Sequence, residues 1–385
     1  MPTRTFGERD LELVREVLAS GNLSVLGGGQ LTPRFEAAFA AAHEAEHAVA
    51  MNAAMSVLHA SVIASGAGAG DEVICDPICV FGAVATMYNN AVPVFVDVDP
   101  VTWNMDPDLI EGAISERTKA LIVTHVCGLA AEMDRIMEVA NRHGLFVIED
   151  CAHAQMTRYK GKYVGTWGHI GSFSFQASKQ MGLGDGGMGI AANAEVAAKL
   201  ALHASAPTFH SVAHGLHYNY RMTEVLAAVG LAQLEVFPQY LRGLRWAGKQ
   251  YDDAVESCEW IAIQRGPEGS EHGYHLWGAT FNGEERGIPR AEFGRVLAEE
   301  HCTVGLGYTD MTAYEHPLIA RRMGYGRGCP LDCPLYEGDA NRYPDGLCPV
   351  AENLFPKIMM AYTFQPDDAI SADAERLHRA IERLS

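Results

Sequence analysis

Two residues in this chain carry the types and settings that chemistry needs. Glu149-Asp150-Cys151-Ala152-His153 follows the apolar run Leu145-Phe146-Val147-Ile148, so Asp150 should leave the carboxyl end of a strand, where open α/β sheets hold ligands. An acid there also suits a helix N-cap, and both readings stand on the sequence alone. Further on, Ser172-Phe173-Ser174-Phe175-Gln176-Ala177-Ser178-Lys179 sets a lone lysine in an apolar, small-residue segment ahead of a glycine-rich turn. Burying an ammonium is costly, so a lysine in such surroundings has a use. A desolvated lysine has a lowered pKa and acts as a Schiff-base nucleophile, while a carboxylate beside a pyridine nitrogen keeps that nitrogen protonated as an electron sink. Together Lys179 and Asp150 describe a site for pyridoxal 5′-phosphate (PLP).

Three other motifs invite chemistry that their contexts deny. His43-Glu44-Ala45-Glu46-His47 has the HExxH spacing of a zinc-binding helix, but Ala48-Val49-Ala50-Met51 follows at once as a strand, so the two histidines should diverge. Gly182-Leu183-Gly184-Asp185-Gly186-Gly187 matches GxGxxG, yet Met188-Gly189-Ile190-Ala191 after it reads as a strand rather than a helix. Gly66-Ala67-Gly68-Ala69-Gly70-Asp71 lacks the Gly-Lys-Ser/Thr of a P-loop and reads as a turn. Cys329, Cys333 and Cys348 fit no common zinc spacing, and no metal is expected.

The elements that must position Lys179 and Asp150 follow from hydrophobic periodicity. Helical spacing covers Glu8–Ala19, ended by Gly21, and Thr32-Pro33 reads as the N-cap and first residue of a helix to about Ala42. Short apolar strands near 47–51, 72–75, 92–97, 119–124 and 145–149 alternate with helical patterns near 54–65, 80–89, 107–114 and 130–143. Gaps of that length admit crossover helices, so the fold class is α/β, a mainly parallel sheet between helices. Segments 173–175 and 188–192 and helices near 194–203 and 222–236 complete a large domain, residues 1–245, whose first 30 residues form an arm. From 246 to 385, strand-like pieces and helices at 290–301 and 371–384 suggest a smaller α+β domain. Its Gly/Pro/Cys-rich stretch 324–349 reads as a functional or interface loop.

The composition agrees with an enzyme of small molecules. The chain has 385 residues, 48% of them hydrophobic, and 48 acids against 29 bases give a net charge of −19. That field repels phosphate backbones and anionic lipid, which argues against nucleic-acid or membrane partners. No apolar run spans a bilayer and no signal peptide opens the chain, so a cytoplasmic protein is expected, with its nine cysteines reduced.

An ordered set of segments then resembles one family. Arg34-Phe35-Glu36, Ala69–Ile74, Pro93–Pro100, Ile148–Ala154, Ser174–Lys179 with Gly184–Gly187, Asn219-Tyr220-Arg221-Met222 and Cys348–Glu352 are collinear with the DegT/DnrJ/EryC1/StrS family of PLP-dependent aminotransferases, which act mostly on keto-sugars and keto-cyclitols. The resemblance implies fold-type I architecture. It implies that Lys179 carries the internal aldimine and shuttles the substrate proton, that Asp150 pairs with the pyridinium, and that His153 reaches the cofactor's phenolic oxygen. Ser174 would bind the phosphate, and Asn219 the phosphate of a neighbouring subunit, making a homodimer with composite sites. Ser174 as a backbone-satisfied strand hydroxyl and His153 as a solvent-facing residue remain the alternatives. Where the family usually has Ser-Gly-Thr, this chain has Asn52-Ala53-Ala54-Met55-Ser56; the backbone amides of Ala54 and Met55 still suit an anion, with one hydroxyl fewer. Phe81 is assigned to stack on the cofactor ring, with core packing as its alternative. Gln176 ahead of the lysine looks like the glutamine-dependent cyclitol branches. The expected reaction moves an amino group from L-glutamine or L-glutamate to a keto-sugar, keto-cyclitol or similar ketone. An inactive PLP-binding regulator, a PLP-dependent dehydratase and an NAD-dependent dehydrogenase are the competing readings. Loops 205–218, 305–315 and 324–348, with His210, His214, His217, Tyr308 and Tyr336, are the candidates for choosing the acceptor.

Overall fold

The computed structural model of the chain describes residues 5–204, 216–309, 311–338 and 343–384. The strands of the large lobe are β1 (His47–Met51), β2 (Glu72–Cys75), β3 (Val92–Phe95), β4 (Thr118–Thr124), β5 (Phe146–Asp150), a short hairpin β6 (Arg158–Tyr159) and β7 (Lys162–Tyr163), β8 (Ile170–Ser174) and β9 (Gly187–Ala191). Seven of them form one sheet in the order β1-β9-β8-β5-β4-β2-β3. β8, β5, β4, β2 and β3 run parallel, and β9 is antiparallel to both β8 and β1. Apart from β1, which is half-buried from His47 to Val49, each strand of this sheet is buried along nearly all its length, as expected when helices cover both faces. Register fixes the geometry at one end: Met51 pairs with Gly187, Gly187 with Ser174, and Asp150 with Ser172, so these residues lie together at one end of the strands.

The helices named first are α1 (Glu8–Ser20), α2 (Leu31–Ala42), α3 (Ala54–Ala64) and α4 (Val80–Tyr88). Gly21 ends α1 in the left-handed region, φ 71°, which glycine tolerates at a helix C-cap. Thr32 is not the N-cap of α2, which begins one residue earlier. The buried Glu224 carboxylate caps it instead, accepting from Leu31 N at 2.6 Å and Thr32 N at 3.1 Å. A cap borrowed from a residue so distant in sequence leaves no local signal. The aromatic cluster Phe35, Phe39, Phe173 and Phe175 locks α2 onto β8, with Phe39 and Phe173 edge to face at 5.2 Å.

The helix expected near 222–236 runs from Glu224 to Val255, passing through Pro238. Proline removes one backbone donor, but Phe237, Leu241, Leu244 and Tyr251 on the buried side carry the helix across it. The smaller lobe comprises β10 (Ile261–Ile263), β11 (Ser270–Glu271), β12 (Leu276–Phe281), β13 (Gly305–Leu306) and β14 (Ile358–Tyr362). Four form an antiparallel sheet, β10-β12-β14-β13, and β11 pairs with β6. A further tie between the lobes joins two of the motifs. Asp97 accepts from Val350 N at 2.8 Å and Ala351 N at 3.0 Å, capping the helix Pro349–Leu354. The Gly/Pro/Cys-rich loop lies along the sheet's edge, where Tyr343 donates to Pro93 O at 2.7 Å and Tyr336 to Glu72 at 3.1 Å. No helix among the described residues is long and apolar enough to cross a membrane.

Glu36 of the Arg34-Phe35-Glu36 motif joins α2 to β1 by accepting from Ala50 N at 2.8 Å. Burial pushes its carboxyl up to about 7, helped by the nearby Glu224 and opposed by the Ala50 hydrogen bond. The folded chain therefore holds this proton more tightly than the unfolded chain. Its contribution is fully present below the ordinary carboxylate range and is lost as pH rises toward 7. Urea titrations should show that Glu36→Gln, which keeps an acceptor for Ala50, flattens the fall in stability from about pH 4.5 to 7. Glu224→Ala strands two buried amides and should cost about 2 kcal/mol in the same measurement.

Candidate active site

The shared end of these strands opens into a cavity of about 420 Å³. Its walls are Ala53, Ala54, Met55, Leu58, Phe81, Asp150, Ala152, Ser174, Gln176, Ser178, Lys179, Asp185 and Gly186. Seven residues singled out in the sequence, Ala54, Met55, Phe81, Asp150, Ser174, Gln176 and Lys179, thus come together from four separate segments. Asn219 does not line the cavity and stands exposed in this chain. Its motif is nevertheless anchored at the end of β1, where Asn52 N donates to Tyr220 O at 2.7 Å.

The inner end of the cavity is the N-terminus of α3. Ala53 precedes it in extended conformation, φ −164° and ψ 155°, with no side chain capping the helix. The first amides of a helix have no acceptor within it, and together with the helix dipole they form a ready site for an anion. Gly187 makes the close approach possible: a Cβ there would lie 2.5 Å from Ala53 C and 2.6 Å from Ala54 N. The GxGxxG match is therefore a strand-to-strand turn that braces α3, not a nucleotide loop. Ser174 Oγ, on the same wall, accepts from Gln176 N at 3.4 Å. Its neighbour Ser172 donates to Ala54 O at 3.3 Å, tying β8 to the helix start.

Asp150 is 2% exposed and accepts from Ala152 N at 3.0 Å, in a turn with no helix following it. Burial raises its pKa, while the Lys179 ammonium and His125 act to lower it. Lys179 is half-buried, and Gln176, Ala177 and Ser178 before it are exposed, a more open setting than the sequence implies. Burial lowers its pKa, and Asp150, with Cys79 and Cys127, opposes that shift. Each charge thus supports the other in surroundings that disfavour both. Phe81 lies in the first turn of α4 with its ring 53% exposed, so it is a cavity wall rather than core.

His153 is not free in solvent. Its ring stacks on His275 at 4.3 Å, and its buried Nδ1 has no hydrogen-bond partner among the described residues. Burial, His275 and Lys179 hold its pKa well below the usual range, so the imidazole is neutral. Periodicity and motif reading missed Asp76, which accepts from Thr124 Oγ1 at 2.5 Å, Cys79 N at 2.8 Å and Ile78 N at 3.0 Å, setting the turn into α4. The signal was available, since Asp76-Pro77 ends β2 as Asp150 ends β5. Also missed is the group His125, Glu149 and Cys151, whose polar atoms lie within 4.8 Å of one another. Glu149 spends its oxygens on Gly165 N and Gly168 N, both at 2.7 Å, and on His125 Nε2 at 3.2 Å, which makes the group a brace for β5.

Of the loop candidates, Tyr308 comes closest: its buried hydroxyl is held protonated by burial and then by Cys79, Cys127, Asp150 and Asp76. Tyr336 belongs to the sheet edge, and His217 bonds Leu202 O at 3.0 Å away from the cavity walls. His210 and His214 lie outside the described residues. The HExxH histidines diverge as expected. α2 ends at Ala42, His43 stacks on Phe39 at 4.3 Å with burial lowering its pKa to about 4, and His47 opens β1.

Residues 4–334 match the DegT/DnrJ/EryC1/StrS aminotransferase family. This chain belongs to that family. Its members are PLP-dependent aminotransferases, and the chain is an enzyme of this class. Among curated relatives, the spore coat polysaccharide biosynthesis protein SpsC of Bacillus subtilis is 32% identical over 333 residues, covering 83% of this chain and 85% of that protein. GDP-perosamine synthase of Escherichia coli O157:H7 is 37% identical over 257 residues, 65% of this chain and 69% of that protein. The solved aminotransferase from Psychrobacter cryohalolentis superposes with a TM-score of 0.86 at 25% identity, covering 100% of this chain and 99% of that one. The fold-type I architecture expected from the motifs is the one observed.

The DegT/DnrJ/EryC1/StrS cofactor fits the residues present: an uncapped helix start for a phosphate, a buried carboxylate, a half-buried lysine and an orphaned imidazole nitrogen. In the cofactor-free chain, Asp150→Asn should lower the pKa of Lys179 further, because it removes the main charge opposing desolvation. The pH dependence of Lys179 acetylation, followed by mass spectrometry, measures this, and an unchanged or upward shift would contradict it.

Proposed function

We propose that this chain transfers an amino group from L-glutamine or L-glutamate to the ketone of a sugar, cyclitol or related polyhydroxy substrate, using PLP held in the cavity at the strand ends. The observation that carries this reading is the convergence of Lys179 and Asp150 on one cavity whose inner end is the uncapped N-terminus of α3. The α3 amides at Ala54 and Met55, with Ser174, would hold the phosphate, and Phe81 would cover the ring. When bound, PLP supplies an electrophilic carbon and an electron sink for the amino-group carbon.

The side chains divide the remaining work. Asp150 would keep the ring nitrogen protonated. Lys179, its ammonium character weakened by burial, would take the proton from the donor's amino-bearing carbon and pass it to the cofactor carbon on the same nitrogen, the shift that leaves the amino group behind when the keto product departs. His153, neutral and with Nδ1 unpaired among the described residues, would reach the ring's oxygen substituent. The working unit is read as a homodimer in which Asn219, exposed here, completes the phosphate site of the second copy.

Visible absorbance of the purified protein tests this. A cofactor band should be present, should bleach on adding L-glutamine or L-glutamate, and should be absent from Lys179→Ala; borohydride reduction should leave the cofactor on the peptide containing Lys179. A protein that takes up no added PLP would sink the reading.

A further inference from the structure

The lysine at the centre of the site stands in a stretch that gives it little hold of its own. Gln176, Ala177 and Ser178 before it are exposed, and the Gln176 side chain is spent locally, its Oε1 accepting from Ser178 N at 2.7 Å and Ser178 Oγ at 2.6 Å. Backbone bonds anchor the loop as far as Ala177, which donates to Gly184 O at 2.8 Å. A group that moves a proton between two carbons must keep its nitrogen within reach of both, and a misplacement of about 1 Å can cost about a hundredfold in rate. The hold comes from behind Lys179, in two glutamines outside the cavity walls, Gln155 and Gln180, each 1% exposed.

These two residues grip each other and the loop. Gln155 N donates to Gln180 Oε1 at 3.0 Å, and Met181 N donates to Gln155 Oε1 at 2.9 Å. Gln155 Nε2 donates to Ser174 O and Gln180 Nε2 to Gly273 O, both at 2.7 Å. One side chain, that of Gln155, thus clamps the loop at Ser174 and at Met181, on both sides of the lysine. Gln155 is tied to Asp150 in turn by a run of tight turns: Asp150 accepts from Ala152 N at 3.0 Å, Cys151 O from Ala154 N at 2.9 Å, and Ala154 O from Thr157 N at 3.1 Å. Gly273 admits the fit, since a Cβ there would lie 2.4 Å from Thr157 Oγ1 and 3.0 Å from Gln180 Nε2. Every amide oxygen and nitrogen of the pair is used, and a buried polar network with all its bonds made specifies a single arrangement. Ser174, Met181 and Gly273 are buried within one copy of the chain, as both glutamines are.

We infer that Gln155 and Gln180 are positioning residues for the reaction: without lining the cavity, they fix Lys179 relative to Asp150. This inference rests on the aminotransferase reading. Its test mixes the full-length PLP-loaded protein with L-glutamate or L-glutamine and times the bleaching of the visible band. Gln155→Met fills a similar volume without the amide; it should keep the band and slow bleaching about fiftyfold at saturating donor, with the half-saturating donor concentration changed less than about threefold. Gln155→Glu retains an acceptor for Met181 N and should recover part of the rate. Gln180→Met should slow bleaching about tenfold, and it decides the matter if thermal unfolding shows that Gln155→Met does not fold. In the cofactor-free protein, amide exchange over residues 176–183 should be at least about tenfold faster in Gln155→Met, with β5 unchanged. Tyr251→Phe, which removes a buried hydrogen bond to Asp373 at 3.0 Å, should lower stability and leave the bleaching rate alone. A wild-type protein that does not bleach overturns the aminotransferase reading itself. With wild-type bleaching intact, this inference alone is overturned by a folded variant that bleaches at the wild-type rate or lacks the band, by a defect confined to donor saturation, by unchanged exchange over 176–183, or by equal slowing in Tyr251→Phe.

Discussion

The site depends on keeping two opposite charges usable inside a partly dry cavity. Burial alone would neutralise both Asp150 and Lys179, raising the pKa of one and lowering that of the other, and each moderates the shift of its partner. Such a pair works only if its geometry is held independently of the charges, since a loose pair in low dielectric collapses or takes in water. The sheet provides that hold. Asp150 ends a central parallel strand braced from behind by Glu149 and His125, and β8, which leads to Lys179, pairs with that same strand.

The anion-binding end is built by a different device, close backbone approach. The glycine turn before β9 lets two strands and a helix start converge where side chains would collide, and Lys179 and Asp150 line the cavity beside that convergence. Polar chemistry at one end of the cavity and bare backbone at the other explain why the family's motif here is half functional residues and half glycine. They also explain why losing a threonine-like hydroxyl at Met55 leaves the helix start intact.

What was legible in the sequence follows from range. Alternating strands and helices, the strand-end position of Asp150 and the divergence of the HExxH histidines depend on neighbours along the chain, and they emerged with boundaries close to those observed. The misses share a long-range cause. Thr32 looks like a cap because no local cue announces Glu224, and the helical pattern stops near 236 because the packing that sustains the helix through Pro238 lies elsewhere in the chain. Asp97 and the Cys348–Glu352 motif were both noticed, but only the fold reveals that one caps the other. The placing of Tyr336 among acceptor-choosing residues failed likewise, since its partner Glu72 lies on a distant strand.

The strand order has a consequence for how the molecule comes into being. β1 is the first strand made, yet its partner in the sheet is β9, more than a hundred residues later. α3 follows directly from β1, so its start is tied into the sheet through β9, whose leading glycine lies against Ala53. A chain cut before β9 keeps Asp150 but lacks both the strand that pairs with β1 and the glycine that lies against the start of α3.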